Sequence, residues 1–299
     1  MKYFDSHCDT LFYLSYNKMD FDNTNGHISD QKRSGFSRYA QIFSLWDYMD
    51  MENGGKNNPG YKYNALKNQI KLLHDCKAIE LVRNAGEIQA AAGQGKVAGF
   101  LSVEGGEMFD CDISRLEQLY SAGVRVIQPV WNYTNVFCAT CSQQETGMTR
   151  LGFDFVKEAE NLGIILDVSH MSRAAFYDLI GKAKKPVMAS HSNCGAVCGH
   201  RRNLTDEQIK ILVETGGYIG LNLYADFVKE KNADKESLFR HIDHFACLGA
   251  DKILGLGADF DGCDKLPDGI GGIEDIAGLG LNSDIMFNNL YRFIEKNLV

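Results

Sequence analysis

Eight short β-rich runs, most of them separated by stretches with helical apolar spacing, constrain this chain more than any other feature. The runs are Lys2 to Ser6, Tyr39 to Trp46, Val97 to Val103, Val124 to Val130, Ile164 to Val168, Pro186 to Ser190, Tyr218 to Leu223 and Ile253 to Ala258. Strands alternating with amphipathic helices are the pattern of βα units, and eight such units close into a barrel. The expected fold class is therefore α/β, a single (β/α)8 TIM barrel of metal-dependent-hydrolase (amidohydrolase-like) architecture spanning residues 1–299. A doubly wound open sheet also alternates strand and helix. It gathers its ligands at one switch point, whereas here polar candidates follow at least five different strands.

The segments between the runs carry helix grammar. Lys62 to Val82 places Leu66, Ile70, Leu73, Ala78 and Leu81 near helical spacing, and Thr149 to Leu162 puts Leu151, Phe155, Val156 and Ala159 on one face before Gly163 as a C-cap. Thr205 and Gln208 have the spacing of a capping box. Residues 17–37 and 47–60 turn polar and rich in Asn, Gly and Asp, as expected of loops over a barrel mouth.

His7 and Asp9 stand two apart at the end of the first run, so an extended backbone projects both to one side. One imidazole and one carboxylate make half of a divalent-metal site, although a capping Asp beside a packed His accounts for the pair equally well in isolation. The same placement then recurs. Glu104 precedes Gly105-Gly106 at the end of the third run, His170 and His191 follow the fifth and sixth, and Asp259 follows the eighth. Barrel enzymes build their sites at these C-terminal strand ends. The other histidines do not share the pattern: His27 lies in a loop, His74 on a helix, and His241 and His244 on a helical stretch where a packed or solvated face is the simpler reading.

Three histidines and three carboxylates exceed the three protein ligands of a single catalytic zinc. A binuclear centre with a bridging carboxylate uses them, because two cations ~3.5 to 4 Å apart can share one water and activate it. Imidazole-rich ligation favours zinc, with manganese, cobalt or iron as alternatives. A net charge of -8 offers no basic stripe for nucleic acid. No run approaches a membrane span or a signal h-region, so a cytoplasmic protein with no membrane partner is the plain reading. Nine cysteines without a secretory signal read as thiols rather than a disulfide framework, and the lone Cys138-x-x-Cys141 is weak evidence for a redox or zinc role.

These motifs resemble, nearly end to end, those of the membrane dipeptidase (renal dipeptidase) family. The resemblance is carried by Asp5-Ser-His7-Cys-Asp9-Thr, Val103-Glu104-Gly-Gly, Gly163-Ile-Ile-Leu-Asp167-Val-Ser-His170, His191-Ser-Asn-Cys-Gly-Ala-Val-Cys-Gly-His-Arg-Arg202-Asn203 and Gly257-Ala-Asp259-Phe-Asp261-Gly262. It implies a microbial-type dipeptidase with two Zn2+, tolerant of a D-residue at the C-terminal position. It further implies that His7, Asp9 and Glu104 hold one zinc, that Glu104, His170 and His191 hold the other, and that Asp259 is the proton acceptor and donor. Arg202 would grip the C-terminal carboxylate of the substrate, a pairing suited to a planar guanidinium, with Arg201 structural or solvated.

One position departs from the pattern. Many animal members carry His-Asn after the fourth strand, where this chain has Trp131-Asn132. Trp131 and Asn132 are thus candidate substrate-binding residues, with the Trp131 indole or Tyr133 as a replacement oxyanion donor, and packing at the barrel mouth as the alternative for Trp131. The expected partner is a small dipeptide, with a homodimer left open. The rival functions are an amidohydrolase acting on an N-acyl amino acid, lactone or phosphotriester, and a noncatalytic metal-binding barrel, for which a retained Asp259 would have no use.

Overall fold

In the computed structural model, which describes residues 1–47 and 60–298, every strand pairing is parallel. The strands are β1 (Lys2–Cys8), β2 (Arg38–Leu45), β3 (Ile79–Leu81), β4 (Val97–Glu104), β5 (Val124–Gln128), β6 (Ile165–Leu166), β7 (Met188–Ala189), β8 (Tyr218–Leu221) and β9 (Leu254–Leu256). Eight of them run in the order β6-β5-β4-β2-β1-β9-β8-β7. A parallel bridge between Asp167 and Met188 joins the two ends of that order, so the sheet is a nearly closed barrel, as expected.

The expected strands all form, each within a few residues of its reading. The helix expected over 62–82 does not. It runs Tyr61–Asp75, and Ile79–Leu81 becomes β3, pairing with the lower half of β4 through Ile79↔Val97 and Leu81↔Gly99. The upper half of the same edge is taken by β5 through Ser102↔Val126 and Glu104↔Gln128. Apolar residues at 78 and 81 fit a helix face and a short strand alike, and only the free lower edge of β4 decides between them. The expected caps form, and in Arg150–Leu162 the residues Phe155, Val156 and Ala159 are buried as read, but Leu151 in the first turn is exposed rather than on that face. Thr149 caps Arg150–Leu162 by accepting from the Gly152 N–H, Gly163 ends it at φ 83°, and Thr205 with Gln208 forms a reciprocal capping box. Each such cap contributes about 1 kcal/mol. Of the two expected mouth loops, 17–37 holds only two short 3-10 turns, and 48–59 lies outside the described residues.

Phe4, Ala40, Ile42, Ala98, Phe100, Val126, Ile165, Met188 and Tyr218 come from successive strands yet form one buried cluster. Side chains from all around a closed sheet can meet only on its inner face. Phe287 and Phe293 join this cluster at the N-terminal strand ends, against Phe4 (6.0 Å) and Tyr218 (5.7 Å), which closes the barrel floor. The opposite end is left for the site.

Two seams have little backbone ladder. β1 and β9 share one pair, Asp5↔Leu256, and β6 and β7 share no ladder beyond the Asp167–Met188 bridge. At each a buried aspartate supplies the missing acceptors. Asp5 Oδ1 accepts from His7 N–H (2.9 Å) and Ala258 N–H (3.1 Å), and Asp167 Oδ1 accepts from Ser169 N–H and Ser190 N–H (3.0 Å each). At Gly220 and Gly257 a Cβ would stand 1.9 and 1.8 Å from the Ser190 carbonyl oxygen, so only glycine admits the backbone just past β7 there.

Candidate metal centre

The six predicted metal and proton-transfer residues converge at the C-terminal mouth, and all are at least nine-tenths buried. His7 and Asp9 meet by a different route from the one expected. β1 carries an irregularity between Asp5 and Cys8, and Asp9 has left the extended region (φ -102°, ψ 22°) to start the helix Thr10–Asn17. A bulge and a turn, not strand alternation, bring His7 Nε2 within 3.5 Å of Asp9 Oδ2. His170 (φ 66°) and Asp259 (φ 62°) sit in the left-handed region, a conformation that costs non-glycine residues roughly 1–2 kcal/mol. Such strain is retained where it re-aims a side chain into a site.

Glu104 is the hinge of the cluster. Its Oε2 lies 3.4 Å from His7 Nε2, and its Oε1 lies 3.2 Å from His170 Nε2 and 3.7 Å from His191 Nε2. One carboxylate thus faces two half-sites. Asp259 Oδ1 is 3.7 Å from His7 Nε2, and its Oδ2 accepts from Asn222 Nδ2 at 3.0 Å. His7, Glu104 and His191 present donor atoms within 4.8 Å of one another, and so do His7, Asp9 and Asp259.

The electrostatics of the two halves differ. Burial drives Asp9 up to about 7, with the Glu104 charge adding to it, and burial likewise raises Asp259. Burial opposes a charged His7, but Glu104 and Asp9 outweigh it and hold the ring well above its usual range. On the other side, burial first and the Arg202 guanidinium second push His170 down to about 3, and burial with the His7 and Arg202 charges keeps His191 well below its normal value. Neutral imidazoles are what metal ligation requires.

These residues fit a metal centre. His7 Nε2 and Asp9 Oδ1 are buried without a hydrogen-bond partner. His170 Nε2 and His191 Nε2 face each other at 3.0 Å beside Glu104 Oε1, and His170 Nδ1 meets Asn132 Oδ1 at 2.8 Å. That last contact places the ring proton on Nδ1 and leaves the Nε2 lone pair toward the cluster. Lone pairs and carboxylate oxygens so crowded are stabilised by a cation between them.

The predicted substrate-side residues lie around this cluster. Trp131, Asn132, Trp46, Tyr224 and Phe227 line one cleft with Asp9, Glu104, His170 and Asp259, about 470 Å³ including its open mouth. Trp131 packs on Trp46 (4.8 Å) and Tyr133 (5.8 Å), so it serves both packing and the cleft wall. Asn132 makes its closest contact with the His170 ring. Arg202 is buried, donates from Nη2 to the His191 carbonyl at 3.3 Å, and lies 5.4 Å from the Phe227 ring centroid. Its Nε has no partner, and among the described residues no carboxylate pairs with it. Arg201 is exposed and donates to the Ser142 carbonyl.

Sequence reasoning missed Asn222, Trp46, Tyr224 and Phe227, which carry no motif of their own. His241 and His244 are no ligands here: His241 is held by the Cys194 N–H and the Val228 carbonyl, and His244 by Asp206. Cys138 and Cys141 are free thiols, and no helix among the described residues is long and apolar enough to cross a membrane.

A parallel barrel that gathers imidazoles and carboxylates at its strand ends is the architecture of a metallohydrolase. Residues 1–280 match the family model described as Membrane dipeptidase (Peptidase family M19), and the chain belongs to that family: it is a metallo-dipeptidase. It is 33% identical over 238 residues to an uncharacterized protein in the pqqA 5′ region of Klebsiella pneumoniae, covering 74% of this chain and 86% of that one. It is 32% identical over 215 residues to an uncharacterized dipeptidase of Schizosaccharomyces pombe, covering 69% of this chain and 50% of the relative. Among solved structures, dipeptidase AC, a metallo peptidase, superposes with a TM-score of 0.86 at 25% identity over 100% of this chain and 99% of that one. A metallo peptidase from Rhodobacter sphaeroides, liganded with a phosphinate mimic of the dipeptide L-Ala-D-Ala, shares the fold with a TM-score of 0.86 at 24% identity over 99% of each chain.

Proposed function

We propose that this enzyme hydrolyses dipeptides that bear a free C-terminal carboxylate, tolerates a D-residue at that end, and works with two zinc ions. The observation that carries the reading is Arg202, a buried guanidinium at the edge of the metal cluster with an unpartnered Nε and, among the described residues, no carboxylate paired directly with it. A buried cation without a directly paired carboxylate is costly, and a substrate carboxylate supplies that partner.

In this assignment His7, Asp9 and Glu104 hold one ion, and Glu104, His170 and His191 the other. When bound, the ions supply Lewis acidity toward water and the scissile carbonyl. The remaining work falls to the chain. Asp259, one oxygen anchored by Asn222 and the other facing the cluster, takes the proton of the attacking water and returns it to the leaving amine. Asn132 keeps the His170 ring in its ligating orientation. Trp131 and Trp46 form an apolar wall that shields the cleft and packs against a substrate side chain. Tolerance of a D-residue and the choice of zinc rest on the family and on imidazole-rich ligation.

The test is a panel of L,L- and L,D-dipeptides, their C-terminal amides and N-acyl amino acids, assayed with metal-quantified enzyme. Turnover of the free-acid dipeptides of both series, with about two zinc ions per chain, is the expected result. Preferential turnover of the amides or of N-acyl amino acids would overturn the substrate assignment.

A further inference from the structure

Asp167 is buried, holds no predicted ligand role, and has no part in the chemistry above. Besides the two backbone N–H groups on its Oδ1, the Ser190 hydroxyl donates to its Oδ2. A carboxylate can only accept, so the single Ser190 proton is committed to Asp167. Ser190 Oγ lies 2.7 Å from His191 Nδ1, and with its proton spent it can only accept from that nitrogen. The ring proton therefore sits on Nδ1, and His191 Nε2 turns a lone pair toward Glu104 and His170. The remaining hydroxyl nearby, Ser169 Oγ, is 3.4 Å from Ser190 Oγ and accepts the His191 N–H at 3.3 Å, so it does not compete for Nδ1.

We propose that Asp167 is a positioning residue: through Ser190 it fixes the His191 tautomer that can hold a metal, while its other contacts close the β6–β7 seam. The proposal rests on the reading of His191 as a ligand. It pairs the fold's weakest seam with the ligand that follows it, so one carboxylate sets both the backbone position and the proton position of His191. His170 has its own, direct arrangement in Asn132.

The experiment compares Asp167→Asn, Ser190→Ala and His191→Ala, each as the full chain. Asp167→Asn keeps an oxygen for the two N–H groups but points an amide donor at Ser190, which frees the hydroxyl proton for Nδ1 and drives the ring proton to Nε2. Ser190→Ala removes the relay and leaves both seam hydrogen bonds in place, so it decides the matter if Asp167→Asn fails to fold. Zinc affinity by chelator competition should fall by about 10- to 100-fold for one of the ions in both variants, the usual effect of losing an outer-shell partner. 15N spectra of the metal-free protein should show the His191 proton on Nδ1 in the parent and moved to Nε2 in Asp167→Asn. If His191→Ala still binds a full complement of zinc, the ligand reading itself fails. If His191→Ala loses an ion while Ser190→Ala binds zinc like the parent, the relay is refuted and Asp167 only closes the seam.

Discussion

Removing the Arg202 guanidinium separates a dipeptidase from hydrolases that do not recognise a carboxylate. Arg202 is 5% exposed, so solvent and salt screen its charge little, and its Nε has no protein partner to lose. A charge-assisted hydrogen bond in such a site contributes ~1.5 to 3 kcal/mol net, and each 1.4 kcal/mol is about tenfold. Arg202→Ala should therefore lower kcat/KM for a free-acid dipeptide by roughly 10- to 150-fold. The lost contact to the His191 carbonyl could also disturb a metal ligand, so the assay is run in parallel on the dipeptide amide, whose end carries no charge. The amide should lose far less. Arg201→Ala, on an exposed side chain bonded to the Ser142 carbonyl, should stay within about twofold, as surface changes do. Equal losses on acid and amide would refute the reasoning, because Arg202 would then be supporting the cluster rather than the substrate.

Asp259→Asn should keep the metals and lower kcat by roughly 10²-fold or more, the worth of a positioned acid or base; a lost ion on elemental analysis would instead make Asp259 a ligand, which its place beside His7 and Asp9 permits. Glu104→Gln should weaken both ions together, since its two oxygens face the two half-sites; loss of only one would show that it does not bridge. Zinc affinity should also depend on pH with a defined sign. Asp9 is raised to about 7 and His7 well above its usual range, so in the metal-free chain both hold protons below about pH 7 that a cation must displace. Affinity should fall as pH drops through that value, with proton release on binding, and chelator competition showing flat affinity from about pH 5.5 to 8 would contradict it.

The barrel was legible in the sequence because its signals are local. Eight alternating runs, the Thr149 and Gly163 caps and the Thr205–Gln208 box each depend on residues within a few positions of one another. The candidate ligands were legible for a related reason, since a strand end followed by a lone His, Glu or Asp is visible wherever it recurs. The helix expected over 62–82 shows where such signals stop. Nothing near Ile79 announces the open edge of a strand some 20 residues on, and that edge makes it a strand.

What only the tertiary structure decided is how distant residues share protons and space. Asn222 matters because its amide meets Asp259 from the neighbouring strand, and Arg202 because no carboxylate among the described residues pairs directly with it. Asp5 and Asp167 sat in plain view, two and three residues ahead of His7 and His170, yet their role depends on which strands face each other with almost no ladder between them. Sequence records which groups are present near each strand end. Hydrogen-bond partners, unpaired charges and seams are properties of pairs far apart in the chain, and they exist only once the barrel closes.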